Sequence, residues 1–207
     1  MKVLLFNGSP RPNGGTFTIL NEVAKTLNEH GLDTEILQIG NRPIQDCIAC
    51  GACVGKGQCV FNDDCVNDWL AKIKDADAFV FGTPVYYAHP SGRLLSIMDR
   101  LFYAGGKYFA HKPAAVVASA RRAGTTATLD VVQKHCLMAQ MPVVASTYWN
   151  MVFGNTAAEK QQDAEGLQTM RNLANNLAWL LKCIDAGKAN GITPPAPAPK
   201  VRTNYIR

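Results

Sequence analysis

Short apolar runs alternate with longer segments of helical spacing along most of the chain. The first apolar run ends at Phe6, and the segment that follows carries apolar side chains three and four residues apart, as an amphipathic helix does. Regular alternation of buried strands with helices is typical of a doubly wound α/β fold, in which helices cover both faces of a parallel, here five-stranded, sheet. The predicted strands are residues 2–6, 33–39, 78–82, 114–119 and 142–146, and the predicted helices are residues 16–30, 92–103, 127–139 and 157–186, with one more ending near residue 77.

We expect one domain over residues 1–190, with a cysteine-rich insertion at residues 44–66. A chain of 207 residues is long enough for one core on each face of a sheet. The tail, residues 191–207, is rich in proline, which lacks the backbone N–H that a helix needs. This tail is either a mobile end or an extended arm on a neighbouring subunit, and Tyr205 and Ile206 favour docking.

Composition and charge argue against several classes of protein. The net charge of +5 is spread along the chain, with no basic run interleaved with aromatic residues, so nucleic-acid binding is not expected. No apolar run is long enough for a membrane span or a signal peptide, so we expect a cytoplasmic protein without a membrane partner. Seven cysteines in such a protein favour metal or redox chemistry over disulfides, although Cys136 and Cys183 are interpreted as small apolar core residues.

The segment between the first strand and the first helix has the composition of a phosphate-binding loop. Its glycine, serine and threonine residues offer hydroxyls and unhindered backbone N–H groups, and the helix N-terminus adds a partial positive charge. A P-loop would need a lysine that Gly14-Gly15-Thr16 does not supply, and the G-x-G-x-x-G dinucleotide pattern is absent. The loop therefore predicts a site for a single terminal phosphate, such as that of FMN.

Ligands of doubly wound sheets collect outside the carboxyl ends of the first, third and fourth strands, and Gly82–Pro90 follows the third. Pro84 stiffens this loop, and Tyr86 and Tyr87 give it flat apolar surfaces with polar tips. Such a loop suits an isoalloxazine ring, to which the backbone N–H groups of Val85–Ala88 donate. The alternative is a surface loop whose tyrosines pack on a neighbour, but its place beside the phosphate loop favours the flavin.

The loop after the fourth strand, residues 119–126, contains an arginine pair. Arg121 and Arg122 could meet the O2/N1 edge of a flavin or the 2′-phosphate of a nicotinamide nucleotide, because a guanidinium matches phosphate geometry. A solvated turn is the alternative. The candidate cofactor-binding residues in this loop are Arg121 and Gly124.

Four cysteines have the spacing C-x₂-C-x₂-C-x₅-C. Repeated C-x₂-C steps let one turn of chain present several thiolates to a compact cluster, as in ferredoxin-type [4Fe–4S] ligation. A zinc site is the second possibility, although zinc ribbons have two separated cysteine pairs. Free or redox-active thiols without a metal are the third. The candidate ligands are Cys47, Cys50, Cys53 and Cys59.

Together these motifs resemble the flavodoxin-like NAD(P)H-dependent FMN reductase family, in particular its iron–sulfur flavoprotein branch, over about residues 1–185. The resemblance rests on Gly8-Ser9-Pro10-Arg11 with Gly14-Gly15-Thr16, on Gly82-Thr83-Pro84-Val85-Tyr86, and on the cysteine run followed by Asp63-Asp64. It implies strand order 2-1-3-4-5 and FMN bound non-covalently at a subunit interface of a homodimer or homotetramer. It also implies electrons from a reduced nicotinamide or ferredoxin.

The resemblance also implies roles for individual residues. Many relatives have Asn where this chain has Gly15, and some keep similar cysteine runs without a cluster, so all three interpretations of the cysteines stay open. By this resemblance the phosphate is held by Ser9, Arg11, Gly15, Thr16 and Thr18, the flavin ring is lined by Pro84, Val85, Tyr86 and Tyr87, and the cluster is ligated by Cys47, Cys50, Cys53 and Cys59.

We therefore predict an FMN-dependent oxidoreductase in which NAD(P)H passes hydride to flavin N5. The acceptor would be a quinone, an azo or nitro compound, another flavin or a redox protein, and a cluster would pass single electrons to or from the flavin. The cofactor supplies the chemistry, so no residue is assigned a catalytic acid or base role. The alternatives are a non-catalytic flavin or metal redox sensor or carrier, and a zinc-stabilised nucleotide-binding module.

Overall fold

A parallel β-sheet lies at the centre of the computed structural model, which describes residues 1–199 and 201–205. Its strands are β1 (Lys2–Asn7), β2 (Asp33–Gln38), β3 (Ala78–Tyr86), β4 (His89–Pro90), β5 (Ala114–Ala120) and β6 (Met151–Phe153). The order across the sheet is β2-β1-β3-β5-β6, and β4 pairs antiparallel with the end of β3.

The helices are α1 (Gly15–Glu29), α2 (Val66–Lys74), α3 (Gly92–Gly105), α4 (Thr125–Met138), α5 (Ala157–Lys160) and α6 (Ala164–Ala189). Successive side chains of a strand point to opposite faces, so β1 contributes to two cores. Leu4 and Phe6 pack with apolar residues of α2, α3 and α4, whereas Val3 and Leu5 pack with those of α1 and α6. The predicted doubly wound α/β class with helices on both faces is confirmed.

The edge of the sheet differs from the sequence prediction. A strand at residues 142–146 is wrong, because only Val143 forms a bridge, to Ala114, and the edge strand is β6. Asn176 of α6 donates to the Ala145 carbonyl at 2.8 Å, and Ser146 Oγ donates to the Thr169 carbonyl at 2.7 Å. These bonds hold the end of the segment on α6, whereas its start bonds, within the described chain, only to Ala114 at the beginning of β5, through Val144 N and the Pro142 carbonyl. With β4 counted, the order is therefore 2-1-3-5-6 and not 2-1-3-4-5.

Two further details correct the sequence prediction. The helix expected over residues 157–186 is divided into α5 and α6, because the Asp163 carboxylate caps α6 by accepting from Gly166 N at 2.9 Å. Cys183 is exposed, so it is not a core residue, whereas Cys136 is buried as expected.

The proline-rich tail has no helix or strand in residues 191–199 and 201–205. Tyr205 is exposed, and Ile206 lies outside the described residues, so the docking of the tail stays a prediction. No helix of the described chain has the length and apolarity needed to cross a bilayer. The cytoplasmic location stays a prediction.

Candidate functional site

The three loops singled out in the sequence meet at one edge of the sheet. Strands β1, β3 and β5 are parallel neighbours, so their carboxyl ends lie side by side. Gly8 N donates to the Gly82 carbonyl at 2.8 Å, and a Cβ on Gly8 would lie 2.8 Å from that oxygen. Glycine at position 8 therefore lets the first loop lie directly against β3.

Two polar side chains that the sequence analysis did not single out fix the start of the first loop. Asn7 Oδ1 accepts from Ser9 N at 3.1 Å, and Gln38 Nε2 donates to the Ser9 carbonyl at 2.8 Å. Asn7 Nδ2 also donates to Gln38 Oε1, because the two residues are register partners at the ends of β1 and β2. The available signal in the sequence was an amide side chain directly after the first predicted strand, Asn7, and another near the end of the second, Gln38.

The N-terminus of α1 faces this loop without a side-chain cap. Its N-cap is Gly14, which has no side chain to accept from the N–H groups of the first turn. Ser9 Oγ accepts from Arg11 N at 3.2 Å, while the Arg11 side chain extends to the exposed rim. Thr16 is buried, and Thr18 Oγ1 donates to the Gly14 carbonyl at 3.3 Å. Main-chain N–H groups and the helix dipole are thus the principal features with which this end can hold an anion.

The second loop is a tight hairpin between β3 and β4. Tyr86 pairs with His89, and the two turn residues, Tyr87 and Ala88, have positive φ angles of 50° and 61°. Both angles are unfavourable for residues with a side chain, and strained backbone of this kind concentrates at functional sites. The Tyr87 side chain is fully exposed and that of Tyr86 about half exposed, so both present aromatic surface at the rim.

The third loop packs against the hairpin and against the first loop. Gly124 has a φ of +92°, and a Cβ there would lie 2.6 Å from Ala88 Cα, so a side chain at this position would push the hairpin away. Ser119 is buried, and its Oγ lies 3.2 Å from the position of a Cβ on Gly15. Arg121 and Arg122 are exposed at the rim.

A buried lysine that sequence analysis did not identify lies behind the first loop. Only 3% of Lys160 is exposed, and its Nζ donates to the Ala120, Gly154 and Val152 carbonyls at 3.0, 2.6 and 3.4 Å. Burial lowers the pKa of this ammonium to about 8, although Asp163 and Glu159 raise it. The helical spacing of apolar residues did not indicate that Lys160 is buried, because this residue lies in the short helix α5.

The four candidate cysteines line one cavity of about 150 Å³, to which Arg100 and Tyr103 of α3 also contribute. Cys50 is exposed and the other three are half-buried. Within the described residues, no three metal-binding side chains are grouped closely enough to hold one metal ion.

Buried polar side chains hold the cysteine loop in place. Arg100 forms an ion pair with Asp64, and both side chains are shielded from solvent. Its Nε donates to Cys59 Sγ at 3.2 Å, and its Nη1 donates to the Gln45 carbonyl at 3.0 Å. Asn67 accepts from Cys59 N at 2.8 Å. The position of Cys59 therefore depends on these polar contacts.

Cys65 lies outside the cavity lining and differs from the four cysteines. Burial, together with the neighbouring Asp64 carboxylate, raises the pKa of its thiol to about 11. The protonated thiol is neither the form that ligates metals nor a nucleophile near neutral pH.

Comparison with known proteins identifies the family of the chain. Residues 1–156 match the family model of the NADPH-dependent FMN reductases. An iron–sulfur flavoprotein of Methanocaldococcus jannaschii is 32% identical over 195 residues, covering 89% of this chain and 99% of its own. The iron–sulfur flavoprotein of Methanosarcina thermophila is 28% identical over 193 residues, covering 91% and 99% of the two chains.

Solved structures show the same fold. A flavodoxin from the domain Archaea superposes with a TM-score of 0.61 at 14% identity, covering 88% of this chain and 99% of its own. The chain therefore belongs to the NADPH-dependent FMN reductase family and is an NAD(P)H-dependent flavin oxidoreductase with a flavodoxin-like fold.

Proposed function

We propose that this protein takes electrons from NAD(P)H onto FMN at the edge formed by its three loops. The electrons then pass to a small acceptor, such as a quinone or an azo or nitro compound, or to a redox partner. The observation that carries the proposal is the convergence of an uncapped helix N-terminus, an aromatic hairpin and a third loop at one edge of a parallel sheet. FMN, when bound, supplies hydride and single-electron chemistry that no side chain can perform.

The chain's own residues then bind and orient the cofactor. The first loop and the α1 N-terminus hold the phosphate through main-chain N–H groups, with Ser9 and Arg11 beside them. The hairpin at Tyr87 and Ala88 would offer backbone N–H groups to the polar edge of the ring, and Tyr86 would supply aromatic surface beside it. We assign the phosphate site to Ser9, Arg11, Gly14, Gly15, Thr16 and Thr18, and the ring site to Pro84, Val85, Tyr86, Tyr87, Arg121 and Gly124.

The exposed tyrosines favour a site completed by a second subunit. Aromatic side chains left in solvent at a ligand rim are typical of surfaces that become covered on assembly. We therefore propose a homodimer or homotetramer in which a neighbouring chain covers the flavin ring.

The cysteine cavity supports a second redox centre. We propose that Cys47, Cys50, Cys53 and Cys59 ligate a [4Fe–4S] cluster that passes single electrons to or from the flavin. Four thiols around one cavity and the Arg100 donor to Cys59 Sγ match the needs of a thiolate-ligated cluster, whose sulfurs accept hydrogen bonds. The relatives named iron–sulfur flavoproteins support the same interpretation.

The test is purification without oxygen, followed by an absorption spectrum and assays of iron and acid-labile sulfide on one sample. We expect flavin bands together with about four irons and four sulfides per chain. Cys50→Ser should remove the iron and leave the flavin, whereas Cys183→Ser, an exposed cysteine outside the cavity, should change neither. Flavin without iron in the unmodified protein would refute the cluster. A protein that takes up no FMN would refute the whole proposal.

A further inference from the structure

Lys160 has an unusual environment for a lysine. Its ammonium is buried, no carboxylate of the described residues lies within ion-pair distance, and it donates to three main-chain carbonyls near the ends of β5 and β6. A buried charge is costly without a counter-charge, and the lowered pKa of about 8 reflects that cost.

The lysine stem lies directly against the first residue of α1. A Cβ on Gly15 would lie 2.1 Å from Lys160 Cε and 2.5 Å from Cδ. These distances are too short for non-bonded carbon atoms, so the lysine side chain would have to move. Position 15 therefore accepts only glycine while Lys160 is in place. The space that a side chain at the α1 N-terminus would occupy is filled from behind by the lysine of α5.

We infer that Lys160 is a positioning residue for the FMN phosphate, and that it makes the site select FMN over riboflavin. This inference rests on the proposed binding of FMN. The charge lies behind the same helix end whose N–H groups face the anion, so the ammonium and the helix dipole act in the same direction. Arg11, by contrast, is exposed, and water and salt screen its charge. A bound phosphate would add negative charge beside an ammonium whose direct partners are main-chain carbonyls and whose nearest charged groups, Asp163 and Glu159, act only at longer range.

The test compares FMN with riboflavin, which lacks the phosphate. Affinities for both flavins are measured by quenching of flavin fluorescence for the unmodified protein, Lys160→Met and Lys160→Arg. We expect Lys160→Met to weaken FMN binding by about 10- to 100-fold, the usual range for a lost charged contact, and to change riboflavin affinity by less than about twofold. Lys160→Arg should retain most of the FMN preference.

Lys112→Met is the matched control. Lys112 is also partly buried with a lowered pKa, and it donates to the Ile73 and Lys74 carbonyls at 3.3 and 3.2 Å, but it lies before the start of β5, at the opposite edge of the sheet. Its loss should leave the FMN-to-riboflavin ratio unchanged. An equal loss of affinity for FMN and riboflavin in Lys160→Met, or no loss for either, would leave the ratio unchanged and overturn the inference; the equal loss would show a purely structural role. A protein that binds neither flavin would instead contradict the proposed function.

A second measurement needs no variant. Between about pH 7 and pH 9, we expect the FMN-to-riboflavin affinity ratio to fall as Lys160 loses its proton. Glu159 and Asp163 are the charged groups facing it from its own segment, and α1, β5 and β6 present Gly15, Ser119 and main-chain carbonyls to it. A ratio that stays constant across this range would contradict the inference even if Lys160→Met does not fold.

The contact with Gly15 gives an independent check. Gly15→Ala alone should displace the lysine and weaken FMN binding, whereas Gly15→Ala added to Lys160→Ala should cost no further affinity. Additive losses in the double variant would show that the two positions do not share one space.

Discussion

The flavin edge and the cysteine loop of this protein are built in different ways. At the flavin edge, the ends of β1, β3 and β5, the start of α1 and a two-residue hairpin place mainly main-chain groups around the site. The cysteine loop, residues 40–65, contains no helix or strand and is held by Arg100, Asp64 and Asn67. The first region inherits its geometry from the sheet, whereas the second depends on a few buried polar side chains.

The largest expected effect is on the cysteine loop. Arg100→Met leaves Asp64 as a buried charge without its partner and removes the donor to Cys59, so we expect the free energy of unfolding to fall by about 3–5 kcal/mol. Denaturant unfolding measures this loss. Arg171→Ala, which breaks the more exposed pair with Glu22, should cost less than about 1 kcal/mol. Equal losses in the two variants would show that the cysteine loop does not depend on the buried pair.

The next effect is on the flavin edge. Gly8→Ala should cost about 1–3 kcal/mol and weaken FMN binding, because the added Cβ would meet the Gly82 carbonyl and Leu94. Gly92→Ala is the control, since open space surrounds that position at the start of α3. Denaturant unfolding and an FMN titration measure both quantities. If Gly8→Ala behaved like the control, the close approach of the first loop to β3 would contribute neither to stability nor to FMN binding.

A smaller, pH-dependent effect should come from Lys160. Its pKa is lowered from 10.5 to about 8 in the folded protein, so between these values the unfolded chain holds a proton that the folded chain has released. The contribution of this group to stability therefore rises with pH in that range. The unfolding free energy of the flavin-free protein, minus that of Lys160→Met, should therefore increase as the pH is raised from about 8 to about 10. A difference that stays flat or shrinks would contradict the burial of the charge.

The smallest effect is expected at the hairpin. Ala88→Gly relieves a φ of +61° and should raise the unfolding free energy by up to about 1 kcal/mol. Ala115→Gly, in the middle of buried β5, should lower it by a similar amount. Thermal unfolding compares the two variants. A loss of stability in Ala88→Gly would show that the positive φ angle of Ala88 does not strain the turn.

Most of the fold was predictable because alternating buried strands and amphipathic helices leave a clear pattern. The prediction failed where local polar contacts override that pattern. Residues 142–146 read as a strand, but Ser146 and Asn176 tie this segment to α6. One long helix was expected where the Asp163 cap starts a new one.

The candidate site was predictable only in part. The three loops follow strand ends, so the topology of the sheet brings them together, and the roles assigned to their residues stay predictions. Lys160 and Arg100 could not be found in this way, because burial of a charge depends on contacts between distant parts of the chain. The position of Lys160 can be recognised only from the space that it fills beside Gly15. The role of Arg100 can be recognised only from its contact with Cys59 in the folded loop.

The most direct test of the account is an anaerobic titration of the FMN-loaded protein with NADPH and then NADH, followed through the absorption band of the oxidised flavin. We expect the band to disappear with about one equivalent of reductant for the flavin alone, because one hydride reduces one flavin, and with about one and a half where the cluster also takes one electron, and to return when a quinone is added. A flavin that binds but stays oxidised in excess NADPH and NADH would contradict the account.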